Sequence, residues 1–220
     1  MGSVGPEIIL MVVVFAIAIS AHESAHAYVA YRCGDSTAKR KGRISLNPVD
    51  HVDPFGTILL PALLILTGAP FLFGWAKPVP VNQNRLKNPR RDQAYVSAAG
   101  PAANLALALF SIVATIILYP LLVSESVAIA DGLRKLLYYN TMINLVLAIF
   151  NMIPVDPLDG GGVLQYFLSH RQARWMKQNR TVLIVIVFAL FLFGIFDVIL
   201  RGFSQIFLSF QQALIQLIWF

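Results

Sequence analysis

The chain has 220 residues, 57% of them hydrophobic and only 13% charged, with a mean hydropathy of +0.69 and a formal net charge of +6. A water-soluble chain carries about 25% charged residues, so this composition excludes most soluble folds and requires lipid as part of the solvent. The excess of positive charge would suggest nucleic acid in a soluble protein. In a membrane protein, basic loops are the ordinary signal of topology, and no nucleic-acid partner is expected.

A hydrocarbon core of about 30 Å takes roughly 20 helical residues to cross. Apolar segments cover about residues 7–31, 54–73, 93–123, 133–153, 181–200 and 203–220. No Lys or Arg precedes the first, as the n-region of a signal peptide requires, so it is expected to be a retained membrane helix. The single cysteine, Cys33, allows no internal disulfide. No repeat or linker divides the segments, and one domain over residues 1–220 is expected.

The second segment is short and contains Pro61, Gly68 and Pro70. Basic loops flank it, with Arg32, Lys39, Arg40, Lys41 and Arg43 before and Lys77, Arg85, Lys87, Arg90 and Arg91 after. If it crosses the membrane, the 17 lysines and arginines divide almost evenly between the two faces. If it dips in and returns, nearly all gather on one face. The positive-inside rule selects the second arrangement, a multi-pass cell-membrane protein with its N-terminus outside and the large basic loops in the cytoplasm.

Near the end of the first segment stands His22-Glu23-Ser24-Ala25-His26, an HExxH motif. Spacing i, i+4 places both imidazoles on one helix face, where they can share a tetrahedral Zn²⁺. Glu23 then lies beside the metal, placed to take a proton from an activated water. Ionisable groups inside an apolar helix are costly to bury unless paired or metal-bound, which marks them as functional candidates. The plainer alternative is a helix end from which all three side chains reach water, since Tyr31 and Arg32 follow closely.

Two histidines leave a catalytic zinc short of a third protein ligand. The candidate acids are Asp35, Asp50, Asp53, Asp92, Asp131, Asp156, Asp159, Asp197, Glu7 and Glu125. Asp159 directly follows an apolar helix broken by Pro154 and Pro157 and precedes three glycines, so its carboxylate can be aimed back into a bundle. A mere helix end with a turn is the structural alternative. Topology supplies a test, because the ligands of one metal lie at one depth. Asp159 emerges on the side of His22 and His26 only if residues 54–73 do not cross.

These residues resemble the site-2 protease family of intramembrane zinc metalloproteases, peptidase family M50. The resemblance rests on HESAH, on the NxxPxxxxDG pattern from Asn151 to Gly160, and on GxxxN from Gly100 to Asn104. It implies an all-α polytopic membrane protein, with a three-helix catalytic core plus additional membrane helices and short β or extended segments in the cytoplasmic or membrane-dipping loops. It further implies His22, His26 and Asp159 as zinc ligands, Glu23 as catalytic base, a site open to the cytoplasm, and transmembrane proteins as substrates. The strings GRISLNPVDHVDPFGT and FGWAKPVPVN look like those of a short bacterial branch without PDZ or CBS domains. Asp156 departs from the family pattern, but Leu158-Asp159-Gly160 is the motif proper, and the resemblance implies Asp159 as the ligand.

A helical peptide bond must be unwound before hydrolysis, and an extended segment with a free edge would hold the unwound chain. Residues 39–47 and 74–82 have the composition for this: Ile44 and Leu46 alternate with polar neighbours, and Pro78 and Pro80 suit an edge. They also read as ordinary basic loops. Asn104 and Asn151 are candidate substrate-binding amides, with helix capping as the alternative role. His51 reads as a turn residue or loop ligand, and His170, with Arg171, Arg174 and Lys177, as facing the membrane surface. Asp197 and Arg201 form a candidate helix-end pair, and Gln205, Gln212 and Gln216 share a face of the last segment. The rival functions are a membrane metal transporter, which would string ligands across the bilayer, and a catalytically inactive substrate-binding homologue.

Overall fold

A computed structural model describes residues 5–67, 74–124 and 129–220. Helix α1 (Gly5–Arg32) is 28 residues long, roughly 42 Å, with Glu7 at its positive and Arg32 at its negative dipole end. A short α2 (Thr37–Arg40), a 3-10 turn (Pro48–His51), a π-turn (Pro54–Leu59) and α3 (Leu60–Leu66) follow. Helix α4 (Pro89–Ile117) begins on a proline, whose missing N–H costs nothing in a first turn. Then come α5 (Tyr119–Leu122), α6 (Ala130–Asn151), α7 (Asp159–Phe167), α8 (His170–Gln178), α9 (Arg180–Leu192) and α10 (Ile195–Trp219).

Helices α1, α4 and α6 pack against one another and form the core, and α7 lies against α4. Their shared interior is built largely from small residues, with Ala18, Ala27 and Ala108 fully buried beside Val14, Ile112 and Leu145. In lipid, where apolar surface gains nothing by leaving the solvent, such residues favour association by letting backbones approach. Among the described residues, α1, α4 and α10 are long and apolar enough to cross a membrane. Helix α6 is long enough, but Asp131, Arg134 and Lys135 charge its first turns.

One expectation is corrected. The C-terminal helices do not divide at residues 200–203: α9 stops at Leu192, Gly194 takes the left-handed conformation (φ 72), and α10 runs unbroken through Arg201 and Gly202. Glycine is the residue that adopts this φ without strain, whereas Gly202 is simply carried inside an apolar helix. Helices α8 and α9 meet at a bend of 67°. Of the short β or extended segments expected in the loops, one takes the extended form, and no strand forms among the described residues. Residues 39–47 begin inside α2 and continue through turns, while residues 75–82 are extended without a ladder.

The path around the second apolar segment is fixed by hydrogen bonds between its two ends. Trp75 N–H donates to Gly56 O (3.1 Å), Thr57 Oγ1–H to Trp75 O (2.7 Å), and Lys77 N–H to His51 O (2.9 Å). The chain therefore comes back to the place it left. The π-turn and α3 together amount to about 13 residues, roughly 20 Å, which is short of a crossing. Gly68, Pro70 and the rest of the expected segment to residue 73 lie outside the described residues, as does Glu125.

Candidate metal centre

His22 and His26 project from one face of α1 toward α4 and α7, and both are buried. Their rings meet edge to face with centroids 4.6 Å apart, and their Nε2 atoms are 3.0 Å apart. Asp159 Oδ2 lies 3.1 Å from Nε2 of His22 and 3.3 Å from Nε2 of His26. Ligands bound at 2.0–2.1 Å in a tetrahedron are separated by roughly 3.3 Å, so the three atoms match one face of a zinc coordination polyhedron.

The protonation pattern supports the same reading. His22 Nδ1 faces Asn104 Oδ1 (2.6 Å) and His26 Nδ1 faces the Val96 carbonyl (2.6 Å), both of them acceptors. Each Nδ1 therefore carries a proton, and each ring turns its Nε2 inward. Asp159 Oδ2 is buried and receives no hydrogen bond. Two ring nitrogens and a carboxylate oxygen converge here on one point, a donor set suited to a divalent cation.

Backbone geometry brings these atoms together. A Cβ on Gly100 would lie 2.5 Å from both His22 and His26, so only glycine lets α4 come this close to the imidazoles. Asp159 is the first residue of α7, where the helix dipole favours a carboxylate. A Cβ on Gly160 would lie 2.2 Å from the Met152 carbonyl, and its absence lets α7 fold back under the end of α6.

Glu23, half-buried, accepts a hydrogen bond from Val79 N–H (3.2 Å). The extended strap, residues 74–82, thus runs past the carboxylate next to the histidine pair. Asn82 N–H donates to buried Asp35 (2.6 Å), and Arg43 donates to the Lys77 carbonyl. His51 is 1% exposed: its Nε2–H donates to Ser45 O (2.7 Å), and Arg43 stands 3.3 Å from its Nδ1. It ends the 3-10 turn and clips the loop under the strap, away from the metal-type cluster.

Asn104 is placed differently from the expectation. It is wholly buried, and its oxygen and both N–H groups are committed to His22, Ala18 O and Asn144. It faces a histidine rather than an open site. Asn151, at the end of α6, is half-buried and donates to Leu147 O (2.9 Å). Among the other candidate acids, Asp35, Asp50, Asp53, Asp92, Asp131 and Glu7 are engaged by local donors or bases. Asp156 stands outside the cluster, and the Asp197 side chain lies outside the described residues. His170 is exposed at the start of the basic helix α8. Gln212 and Gln216 line a cavity of about 910 Å³ between α10, α4 and α6.

Sequence reading missed three features: the Val79 contact with Glu23, the space Gly100 leaves for the imidazoles, and the partners of Asn104. Asn140 and Asn144, at helical spacing inside an apolar segment, were the available signal for the last.

A helical bundle in lipid with an HExxH pair completed by a carboxylate is the arrangement of a membrane-embedded metalloprotease. A family model described as peptidase family M50 matches residues 10–195, and the chain belongs to that family, whose members depend on zinc. It is similar to "Putative zinc metalloprotease YwhC" of Bacillus subtilis (strain 168), 37% identical over 181 residues, covering 82% of this chain and 79% of the relative. It is also similar to "Putative zinc metalloprotease Rip2" of Mycobacterium tuberculosis (strain ATCC 25618 / H37Rv), 28% identical over 188 residues, covering 84% and 67%. No solved structure matches the chain significantly.

Proposed function

We propose that this metalloprotease is of the site-2 type and hydrolyses peptide bonds in transmembrane segments of other proteins. The observation that carries the reading is the convergence of three ligand atoms, His22 Nε2, His26 Nε2 and Asp159 Oδ2, within 3.3 Å of one another, next to the Glu23 carboxylate, inside an apolar helical bundle. His22, His26 and Asp159 hold zinc, and residues 1–220 act as one catalytic domain. Bound zinc supplies Lewis acidity, which acidifies a water and polarises a carbonyl. Glu23 takes the proton from the attacking water at its carboxylate and passes it to the leaving amide nitrogen. Asn151, whose side-chain NH₂ donates to Leu147 O at the end of α6, meets the substrate backbone near the reacting bond.

Trp75, Lys77 and Val79 turn their N–H groups toward the enzyme, and Trp75 and Lys77 their carbonyls also. The alternating period of an extended chain then puts residues 76, 78 and 80 on the opposite edge. Pro78 and Pro80 have no N–H, so this edge offers mainly carbonyl acceptors to the amides of an unwound substrate. Because the ends of the second apolar segment adjoin, the segment re-enters on one side. The basic loops and the site then face the cytoplasm, with the N-terminus outside.

The test is Glu23→Gln, co-expressed with a single-pass membrane substrate. Zinc content is expected to be unchanged and cleavage abolished. Cleavage at the original rate refutes the mechanism.

A further inference from the structure

Behind His22, two buried asparagines, Asn104 and Asn144, and the half-buried Asn140 connect the core helices. His22 Nδ1–H donates to Asn104 Oδ1 (2.6 Å), Asn104 Nδ2 to Asn144 Oδ1 (2.8 Å), Asn144 Nδ2 to Asn140 Oδ1 (3.0 Å), and Asn140 Nδ2 to Ser111 Oγ (2.6 Å). The amide orientations are anchored independently, because each NH₂ also donates to a backbone carbonyl. Asn104 reaches Ala18 O, Asn144 reaches Asn140 O, and Asn140 reaches Leu107 O. All three oxygens therefore point up the chain toward His22, and all three NH₂ groups point away from it. Asn104 and Asn144 are 0% exposed and Ser111 is 1% exposed.

We infer that Asn104, Asn144 and Asn140 are positioning residues of the zinc centre, acting as a head-to-tail amide ladder that holds His22 in its Nδ1–H tautomer and strengthens its Nε2 as a metal ligand. Aligned amide dipoles reinforce one another in low dielectric, and the negative end of this series rests on the His22 N–H. A hydrogen bond from the remote ring nitrogen fixes the ligand's tautomer and raises its basicity. His26 receives the same service from a single backbone carbonyl, Val96 O, which no side-chain substitution can remove. The ladder is the arm of the site that substitution can vary. Asn144 and Asn140 touch neither metal nor substrate, so their effect runs wholly through Asn104 and His22. Burial of so much amide inside a lipid-solvated bundle is tolerable because every group is satisfied, and a gap anywhere leaves the next amide without its partner.

This inference rests on the assignment of His22 as a zinc ligand. The test is zinc affinity of the purified protein by competition with a chromogenic chelator, alongside thermal unfolding of the metal-free forms. Asn144→Leu, of similar volume, is expected to weaken zinc about 10- to 100-fold, and Asn104→Leu at least as much. Asn104→Asp keeps an acceptor for His22 Nδ1–H but loses the donor to Asn144 and Ala18, and is expected to lose less zinc affinity than Asn104→Leu. Asn144→Ser, too short to reach Asn104, replaces Asn144→Leu if that variant does not fold, with the same loss expected. Parental affinity in the Asn144 variant, or equal losses in Asn104→Leu and Asn104→Asp, overturns the ladder. His22→Ala distinguishes the two levels: if it retains zinc, the ligand assignment fails, and if it loses zinc while the Asn144 variants keep it, only the ladder fails.

Discussion

Replacing Gly100 with alanine tests the geometry of the whole centre with one methyl group. The added Cβ would lie 2.5 Å from His22 Cε1, His22 Nε2 and His26 Nε2, whereas ordinary contact begins at 3.4 Å. Helix α4 or the imidazole pair must therefore yield by about 0.9 Å, several times the tolerance of about 0.2 Å within which a metal site keeps its ligand distances. The methyl cannot slip aside, because its neighbours are the short, doubly tethered rings that carry the ligand atoms. Overpacking of this kind costs about 1–3 kcal/mol, and a loss of about 2.7 kcal/mol from binding is a hundredfold. Zinc per chain, measured by elemental analysis after dialysis against a chelator, is expected to fall to background, with cleavage lost in parallel. Gly132→Ala is the control, since a Cβ there meets nothing within 4 Å and a helix gains up to about 1 kcal/mol from the exchange. A Gly100→Ala protein that retains a full complement of zinc would show that α1 and α4 do not approach as described, and the reasoning would fall.

Two further outcomes follow from the site and its supports. Asp159→Ala is expected to lose zinc in the same dialysis assay while Asp156→Ala keeps it, and the reverse result would move the third ligand to Asp156. At Asp35, burial alone would raise the pKa, but the Thr37 hydroxyl and the Thr37 and Asn82 N–H groups outweigh it and hold the carboxyl below the usual carboxylate range. A lowered folded pKa means its contribution is complete above the ordinary aspartate value of about 3.9 and is lost as pH falls through the lower folded value. Amide exchange at Asn82 is therefore expected to accelerate in that acid window, and the acceleration should vanish in Asp35→Asn. Identical acid dependence in the two proteins would remove Asp35 as the anchor of the strap.

Chemistry and environment were legible from residue order alone. The apolar segments, HESAH and the proline-interrupted run to Asp159 are short-range patterns whose meaning depends on helical period and on the cost of ions in lipid. They therefore survive without knowledge of packing. Helix ends were less legible where no breaker stands in the apolar run: Gly194 and Gly202 look alike in sequence, and only the neighbours of α9 and α10 decide which one takes a positive φ. The extended character of residues 75–82 could be read from Pro78 and Pro80, but no strand follows, because its inner hydrogen bonds go to Gly56, His51 and Glu23 rather than to a parallel edge.

The sequence by itself determined that this is a membrane protein with an HExxH helix and a small set of acids able to complete a metal site. Tertiary structure decided the rest. It brought Asp159 Oδ2 to within 3.3 Å of both imidazoles, set Asn104 Oδ1 against His22 Nδ1 and Val79 N–H on Glu23, and laid Trp75 and Lys77 beside Gly56 and His51. Each of these depends on atoms that meet across tens of residues at distances near 3 Å, and no local pattern encodes such distances. They arise from how closely small residues such as Gly100 and Ala18 let whole helices approach.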